Sequence, residues 1–589
     1  MRGMSRARAC HAFVFLAAIL PFSGCSNPPA PTPPPAERFD AFVDAFLDHF
    51  ASHHPSIAAG NGLHMYDDRL EDMSAAAVAK EVEAWKALKT RLAAIPVASL
   101  TPDEKVDHRI VDGLIDAWLL ELDVNRNWQK NLMLYASAIS DGVHNLMTME
   151  SSPAEVRAQR IIAKLRGVPT LLASARVNIT DPPKVMAERG VRMLRGAAGM
   201  LTEDVPLAFA GLSDTTLKGG LLAATSAAAH EIEAFAAEFE KTTLPTANGK
   251  YAVGRQKLEA RYQAEELIDT PVPQLLAIGE RELAANEAAF VAAAAKVDAK
   301  RPALEVWKTV LANHPKRGEL VAAAQKAVDE LTAYVREKQL VTLPSDERVN
   351  VAAAPPFDLG LASMHSSPPL EATPVKSYFY ITDAQAGWDA ARQDAWLQKF
   401  NIPTLTVITS HEVMPGHFVH SLYMRQTPGK VRRIWIGLNP FPQPSSGQDG
   451  WAHYGEQMIL DEGFKRDDPT YRLAQLSEAL TRICRLITGI RIHTGEWTVD
   501  AGAMLFEEAA HLPGPAARQE AERASYDPTY GGYFLGKLAA LKLRRDVMAK
   551  EGSSFDLRSF HERVMTNGIA PWWAHRQLLL PGDAAPVVE

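Results

Sequence analysis

Cysteine is scarce in this sequence, and its distribution excludes a fold held together by disulfides. Only Cys10, Cys25 and Cys484 occur among the 589 residues. The first two lie in the leading segment, so the folded body contains only Cys484 and cannot form an internal disulfide. Cys484 lies in an apolar pattern of helical period, which predicts a buried position in the core.

An excess of positive charge is also missing. The chain has 62 Lys and Arg against 70 Asp and Glu, which gives a formal net charge of −8 at pH 7. Binding to nucleic acid needs a basic surface, so nucleic acid is excluded as the main partner. The hydrophobic content of 47% and the charged content of 22% are ordinary for a globular protein.

No apolar run is long enough to span a bilayer. The run from Ala12 to Leu20 follows three arginines but is shorter than the roughly 20 residues that a membrane helix needs. Two small residues then precede Cys25, as is typical of a bacterial lipoprotein processing site. Residues 1–24 are therefore predicted to be a lipoprotein signal peptide. The alternative is an ordinary secretory signal with an incidental cysteine.

A proline-rich linker is predicted over residues 25–37. Six prolines lie between Pro28 and Pro35, and such a segment favours extended polyproline and cannot build a core. We expect it to hold the folded body away from a membrane that the chain contacts only through lipidated Cys25. Ser26 follows the cysteine where an Asp would favour retention at the inner membrane. The predicted location is the periplasmic side of the cell envelope, as an outer-membrane lipoprotein.

The body, residues 38–589, has the pattern of a mainly α protein. Alanine is abundant, and apolar residues recur at spacings of three and four. Thr101 and Glu104 form a helix-start signature with a proline between them, and residues 221–239 read as an alanine-rich helix. Strands and helices do not alternate, so a doubly wound sheet is not expected.

One stretch departs from the helical pattern. Aromatic and β-branched residues between Lys376 and Thr382 predict a small β element near residues 375–382. A strand beside a metal-binding helix can offer its edge to a substrate backbone. A strand that only forms part of the core can have the same sequence, so the pattern does not distinguish the two. We divide the body into an N-terminal half, about 38–345, and a metal-site half, about 346–589.

The segment HEVMPGHF, which begins at His411, holds the most informative motif. His411 and His417 are six residues apart, so a regular helix cannot direct both side chains at one ion. Pro415 donates no N–H and clashes with the carbonyl four residues back, while Gly416 tolerates unusual backbone conformations. We therefore predict a break in the helix that returns His417 to the side facing His411.

The motif resembles the HExxPGH signature of a bacterial family known as domain of unknown function 885. Further blocks match that family in the same order along the chain, so the resemblance spans nearly the whole body. The matching blocks are PSIAAGNGLHMYDDRLED from Pro55, DGWAHYGEQMILDEG from Asp449, DPTYGGYFLGKLAALKLR from Asp527 and FDLRSFHERVMTNGIAP from Phe555.

The family is similar to helical zinc peptidases of the gluzincin type, such as angiotensin-converting enzyme, thimet oligopeptidase and the thermostable carboxypeptidases. The resemblance implies a large multi-helix body with a deep central cleft. It implies one Zn²⁺ ion held by His411, His417 and Asp449, with Glu412 as the general base. The family pattern has Glu where this chain has Asp449, so the shorter stem requires the helix to approach more closely.

The resemblance also suggests donors for a tetrahedral oxyanion. Tyr533 is the preferred candidate, and His493 is the second. Tyr526 and Tyr530 are close alternatives.

Other ligand sets stay open at the level of sequence. Asp449 and His453 share a helix face, with Glu456 three residues further on, and His417 and His420 are three residues apart. Either pair could join a metal site. His453 and Glu456 could instead orient the ligands from behind.

The predicted function is zinc-dependent hydrolysis of peptide bonds in oligopeptides, which makes the protein a metallopeptidase. Arg544 or Lys537 could hold a substrate carboxylate, although a surface charge is the simpler interpretation of each. One alternative is a lipoprotein binding module that has weak or no turnover. Another is a hydrolase of non-peptide amides.

Overall fold

A computed structural model describes residues 37–355, 360–434 and 445–589. The predicted signal peptide, Cys25 and all but the last residue of the predicted linker lie outside the described residues. Within the described ranges, every helix is either too short or too polar to cross a membrane.

Helices build almost all of the N-terminal half. Thr101 caps α4 through the predicted box, with its side chain accepting from the Glu104 amide and the Glu104 carboxylate accepting from the Thr101 amide. The helices are α1 (Phe39–His53), α2 (Pro55–Gly60), α3 (Ala75–Ala93), α4 (Pro102–Leu119), α5 (Leu132–Thr148), α6 (Ala154–Leu165), α7 (Val168–Asn178), α8 (Lys184–Gly199), α9 (Val205–Ala208), α10 (Thr215–Thr242), α11 (Arg255–Glu266), α12 (Val272–Val297), α13 (Ala303–Leu311) and α14 (Leu320–Glu337).

The C-terminal part is also helical, which confirms the predicted mainly α fold. Cys484 is buried in α19, as its apolar surroundings predict. The helices are α15 (Ala390–Leu397), α16 (Ile402–Glu412), α17 (His417–Met424), α18 (Ser445–Asp461), α19 (Pro469–His493), α20 (Val499–Glu508), α21 (Gly514–Tyr526), α22 (Gly532–Glu551), α23 (Leu557–Thr566) and α24 (Trp572–Leu579).

A small three-stranded sheet lies between the two sets of helices in the chain. Its strands are β1 (Asn350–Ala353), β2 (Ala362–His365) and β3 (Tyr378–Ile381), in the order β1-β3-β2. β3 is the predicted strand, and it pairs in parallel with β1 and antiparallel with β2. Because both of its edges are paired, β3 cannot offer an edge to a substrate. β2 is the strand that lies against α16.

Two large hydrophobic clusters form the core. The change from one cluster to the other falls near residues 258–267, earlier in the chain than the boundary predicted near residue 345. The first cluster is built mainly from residues 39–267, and the second from residues 258–588. Helices α11, α12 and α14 therefore contribute side chains to the core of the metal-site half. The boundary near residue 345 stays a prediction, because clusters record packing and not independent folding. The deep cleft stays a prediction as well.

Candidate metal centre

The helix that carries His411 is interrupted as the proline–glycine pair predicts. α16 ends at Glu412 and α17 begins at His417. Between them the Gly416 amide donates to the Ser410 carbonyl at 3.0 Å, six residues back, where a regular helix would bond four back. The Met414–Pro415 peptide bond is cis.

Gly416 is required at this break because there is no room for a side chain. A Cβ atom added at Gly416 would lie 1.7 Å from the carbonyl oxygen of His411. The indole N–H of Trp451 donates to the Pro415 carbonyl at 3.0 Å and fixes the segment against α18. As a result, the rings of His411 and His417 lie 4.7 Å apart between centroids, at nearly a right angle.

Asp449 completes a group of three potential ligands. Its Oδ1 atom lies 3.8 Å from His411 Nε2 and 3.7 Å from His417 Nε2, and the three ligand atoms lie within 4.8 Å of one another. These separations are too long for hydrogen bonds. Two bonds of about 2.1 Å to one tetrahedral zinc would hold their ligand atoms about 3.4 Å apart, so the spacing fits an ion.

Close packing of α18 against the break explains how the shorter Asp stem reaches the histidines. Trp451 bonds to Pro415, and a Cβ atom at Gly455 would lie only 3.7 Å from the Pro415 ring. Trp451 and Gly455 lie on α18, the helix that carries Asp449. The helix thus approaches closely enough to compensate for the missing methylene group.

Glu456 organises the group from behind and is completely buried. Its Oε1 atom lies 2.7 Å from His411 Nδ1 and 2.9 Å from an Arg482 nitrogen, while its Oε2 atom lies 3.0 Å from His453 Nδ1. A carboxylate on one ring nitrogen of a histidine fixes the orientation of the other nitrogen. Glu456 therefore directs His411 Nε2 towards Asp449 and His417.

The site combines groups whose pKa values move in opposite directions. Burial opposes the charged form of His411, but Asp449 and Glu456 outweigh it and raise the pKa of His411 to about 9. Burial, together with the charge of His411, lowers the pKa of His417 to about 3. Burial raises the pKa of Glu412 to about 7, with Asp449 adding to the shift and His411 opposing it. A neutral imidazole and a carboxylic acid poised near neutrality are suited to metal binding and proton transfer.

Tyr533 lies within electrostatic range of Asp449. Burial raises the pKa of Tyr533 to about 12, and the charge of Asp449 contributes to that shift. A guanidinium nitrogen of Arg523 donates to the Tyr533 hydroxyl oxygen at 2.8 Å. Because this oxygen accepts from Arg523, its own O–H can donate elsewhere.

His493 has a different environment from the one that the resemblance implies. Its Nε2 atom lies 2.7 Å from the Ala524 carbonyl oxygen, and its Nδ1 atom accepts from the Val253 amide at 3.4 Å. Both ring nitrogens are thus engaged by backbone groups, because α19 ends between these segments. The structure does not join His493 to the group around His411.

The other residues considered from the sequence also have separate partners. The Tyr530 hydroxyl donates to the Glu520 carbonyl at 2.9 Å, and the Tyr526 ring lies under Arg189. His420 Nε2 lies 3.0 Å from the Gly568 carbonyl oxygen. These contacts are structural, and in the described ranges only His411, His417 and Asp449 converge as a possible ligand set.

Arg544 is likewise engaged, since it donates to Glu462 at 2.8 Å and to the Tyr454 hydroxyl at 3.3 Å. Lys537 is buried, with only 3% of its surface exposed, and lies away from the solvent face that the simpler interpretation assumed.

Sequence reasoning missed the arginines that support the site. Arg482 holds Glu456, and Arg523 holds Tyr533. Arg485 lies over the rings of Tyr530 and Tyr533. Arg482 and Arg485 interrupt an otherwise apolar helical pattern. A cation in such a pattern usually needs a partner, so the sequence does contain a signal for these two residues.

Comparison with known proteins identifies a family and several solved structures. The family described as bacterial protein of unknown function (DUF885) matches residues 55–575. No curated protein matches the chain. A candidate lipoprotein of unknown function from Shewanella oneidensis has 23% identity and a TM-score of 0.76, covering 92% of this chain and 100% of its own.

Two more structures align with this chain over most of their length. A candidate lipoprotein from Colwellia psychrerythraea has 18% identity and a TM-score of 0.76, and the alignment covers 92% of this chain and 98% of that one. The M32 carboxypeptidase from Deinococcus radiodurans has 11% identity and a TM-score of 0.39, with coverage of 93% and 96%. The two candidate lipoproteins share the fold of this chain.

Proposed function

This chain belongs to the DUF885 family of bacterial proteins, and from that premise we propose that it is a zinc-dependent peptidase that hydrolyses oligopeptides. The observation that carries the proposal is the convergence of His411, His417 and Asp449 around one point, from three helices, α16, α17 and α18. Two imidazoles and one carboxylate that meet in this way are a ligand set typical of zinc.

The donor set fits a catalytic zinc ion. Catalytic zinc takes three protein ligands and leaves a fourth position for water, and two imidazoles with one carboxylate are a common set. His411 and His417 would bind through Nε2, and Asp449 would bind through Oδ1. An ion held there would polarise a carbonyl group and lower the pKa of a water molecule from about 15.7 towards 7.

Glu412 would serve as the general base. It directly follows His411 at the end of α16, so the helix end positions both residues together. Its pKa, raised by burial to about 7, suits a group that accepts a proton from water and then passes it to the leaving amine. The carboxylate of Glu456, which is held by Arg482, is not available for this role.

Tyr533 would stabilise the oxyanion that develops on the carbonyl oxygen. Its hydroxyl oxygen accepts from Arg523, which leaves the O–H free to donate towards the substrate. A guanidinium on the phenol oxygen strengthens the phenol as a donor, since it draws electron density from the O–H bond. Arg523 is therefore a positioning residue in this account.

An extended substrate chain would bind along β2. This strand lies at the edge of the sheet order and packs against α16, which carries His411 and Glu412. Addition of a peptide to a sheet edge uses backbone hydrogen bonds and so accepts many sequences. That mode of binding favours oligopeptides with little side-chain preference.

The enzyme would act at the cell envelope, tethered through lipidated Cys25. The processing pattern before Cys25 supports this location, and two proteins with the same fold are themselves candidate lipoproteins. The proline-rich linker would place the body in the periplasmic space.

A peptide library read by mass spectrometry tests the proposed reaction. The zinc-loaded chain should cleave peptides, lose activity with a chelator and regain it when zinc is restored. Glu412→Gln should bind zinc like the wild type and cleave about 10² to 10⁴ times more slowly, because the general base is lost. Glu496→Gln changes a partly exposed carboxylate outside the ligand group and serves as the control.

The outcomes separate the alternatives. Cleavage that is equal in Glu412→Gln and the control would refute Glu412 as the base. If the zinc-loaded chain binds peptides but cleaves none of them, the protein is a binding module. Activity restricted to non-peptide amides would identify the other hydrolase.

A further inference from the structure

A cavity of about 630 Å³ lies on the side of α18 and α22 away from the metal-ligand group. Its walls come from α12, α19, α22 and the segment that joins α18 to α19. None of the three candidate metal ligands lines it. The cavity is therefore distinct from the site described above.

Lys537 is the unusual residue in this cavity. It lines the wall and is 97% buried, since only 3% of its surface is exposed. In the described part of the chain no carboxylate or carbonyl bonds to its ammonium group. Burial lowers the pKa of Lys537 to about 8, although the more distant charge of Glu456 opposes the shift. An ammonium on a largely buried side chain that faces a cavity without a carboxylate partner is unfavourable, and an anion bound in the cavity would remove that penalty.

Gln475 provides a second donor to the same cavity. Its carbonyl oxygen accepts from Arg472 at 2.9 Å, which fixes the orientation of the amide. Its Nε2 atom is buried and has no hydrogen-bond partner among the described residues. Two unpartnered donors, one ammonium and one amide, match the two oxygens of a carboxylate.

The charge of the lining also favours an anion. Five cationic side chains line the cavity, against two acidic ones, and three of the five remain after Lys465 is paired with Glu330 and Arg472 with Asp461 outside the lining. The whole chain, in contrast, has a formal net charge of −8. The cationic residues are Lys296, Lys465, Arg466, Arg472 and Lys537.

The rest of the wall is apolar and suits a hydrocarbon body. It is built from alanines of α12, from Phe464 in the segment that joins α18 to α19, and from larger side chains of α19 and α22, which include Tyr471, Leu476, Phe534 and Leu538. A small inorganic anion would fill little of 630 Å³ and would leave this surface in contact with water. The cavity therefore favours a ligand that has both an anionic group and an apolar part.

Buried groups separate the cavity from the metal-ligand group. Lys537 lies four residues beyond Tyr533, one turn further along the same face of α22. On α18, Gln457 lines the cavity and Asp449 lies about two turns before it. Glu456 and His453 are fully buried between these positions.

We propose that this cavity is a binding site for an organic carboxylate with an apolar body, whose carboxylate binds Lys537 and Gln475. The site goes beyond the proposed hydrolysis and does not depend on it, because none of its residues is a metal ligand.

Calorimetric titration of the full chain with octanoate, in the presence of a chelator, tests the proposal. The wild type should bind one octanoate, and Lys537→Met should bind it at least tenfold more weakly. Lys550→Met, on an exposed lysine at the end of the same helix, should bind like the wild type. Neutral octanamide should bind at least tenfold more weakly than octanoate, because it lacks the charge. Equal binding by Lys537→Met and wild type would overturn the proposal.

Two further measurements use the wild-type chain, so they do not depend on the folding of a variant. Inorganic phosphate should not compete with octanoate at equal concentration, and effective competition would overturn the requirement for an apolar body. Cyanate should modify Lys537 at least fivefold more slowly when octanoate is present, while modification of Lys550 is unchanged. Equal protection of both lysines, or of neither, would refute the site. All of these readouts are independent of peptide cleavage.

Discussion

At the scale of single residues, Asp449 shows how a departure from a family pattern is accommodated. The family pattern has Glu at this position, and Asp has one methylene group fewer. The Asp449 carboxylate still lies 3.7 Å from His417 Nε2, because Trp451 and Gly455 let α18 pack tightly against Pro415. The substitution is thus compensated by backbone position.

Lys537 gives a prediction about stability. Its pKa is about 8 in the folded chain against an ordinary 10.5, so the unfolded chain binds more protons between these pH values. The charged groups that surround it are Glu456, Arg482, Asp461 and Arg472. Stability of the wild type should therefore rise as the pH increases from 8 to 10.5.

Lys537→Met should remove this dependence. At pH 7 the variant should be more stable than the wild type by up to about 3 kcal/mol, since no ammonium has to be buried. The gain should shrink towards zero by about pH 10.5. Urea unfolding at pH 7 and at pH 10 measures both values. If the variant is less stable than the wild type at pH 7, or is stabilised equally at pH 7 and pH 10, burial of the Lys537 ammonium does not destabilise the fold.

At the scale of elements, the break between α16 and α17 is the decisive feature. Gly416→Ala should destabilise the chain by more than about 3 kcal/mol or abolish metal binding, because the new Cβ would lie 1.7 Å from the His411 carbonyl oxygen. Thermal unfolding and metal content report the two effects. To relieve this clash the backbone must shift at His411, and the His411 imidazole, a proposed metal ligand, would move with it.

Gly455→Ala is the matched control for that change. Its Cβ atom would lie 3.7 Å from the Pro415 ring, which is an ordinary contact. This variant should retain the fold and the metal. If Gly416→Ala behaved like Gly455→Ala, the break would not require glycine and the account of the helix interruption would be wrong.

The helix break could be predicted from the sequence because its causes are local. Pro415 and Gly416 act on the backbone within one turn, so spacing and residue type were sufficient. The partners of Glu456 and Tyr533 could not be predicted, because Arg482 and Arg523 reach them from other helices. Such contacts depend on how helices pack and leave only the weak signal of a charge in an apolar pattern.

The strand was predictable for the same reason, and its place in the sheet was not. Aromatic and β-branched residues identified β3, but its central position depends on pairing with two segments earlier in the chain. Those segments, Asn350–Ala353 and Ala362–His365, are short and have weak strand patterns. Pairing over such distances is not encoded in any one segment.

At the scale of the whole molecule, long-range contacts join the two halves. Buried Arg432, from the C-terminal part, donates to Asp107 at 2.6 Å and also pairs with Asp103, both on α4. Burial raises the pKa of Asp107 to about 6, although Arg432 opposes that shift. The second core includes residues from 258 onwards, so helices on both sides of residue 345 share one core.

The anchoring of the molecule gives a further prediction. In a bacterial host the wild-type chain should carry lipid and partition with membranes, whereas Cys25→Ser should appear in the soluble fraction of the envelope. Detergent phase separation and mass spectrometry of the mature N-terminus measure the change. Cys10→Ser alters a cysteine within the predicted signal peptide and should behave like the wild type. Partitioning that is the same for both variants would refute lipidation at Cys25.

Zinc content and zinc X-ray absorption of the purified chain show whether His411, His417 and Asp449 hold an ion. We expect one zinc ion per chain, bound by two imidazole nitrogens and one carboxylate oxygen, with affinity falling at least tenfold in Asp449→Asn. A chain that binds no zinc, or binds it equally well after Asp449→Asn, does not have the proposed metal centre.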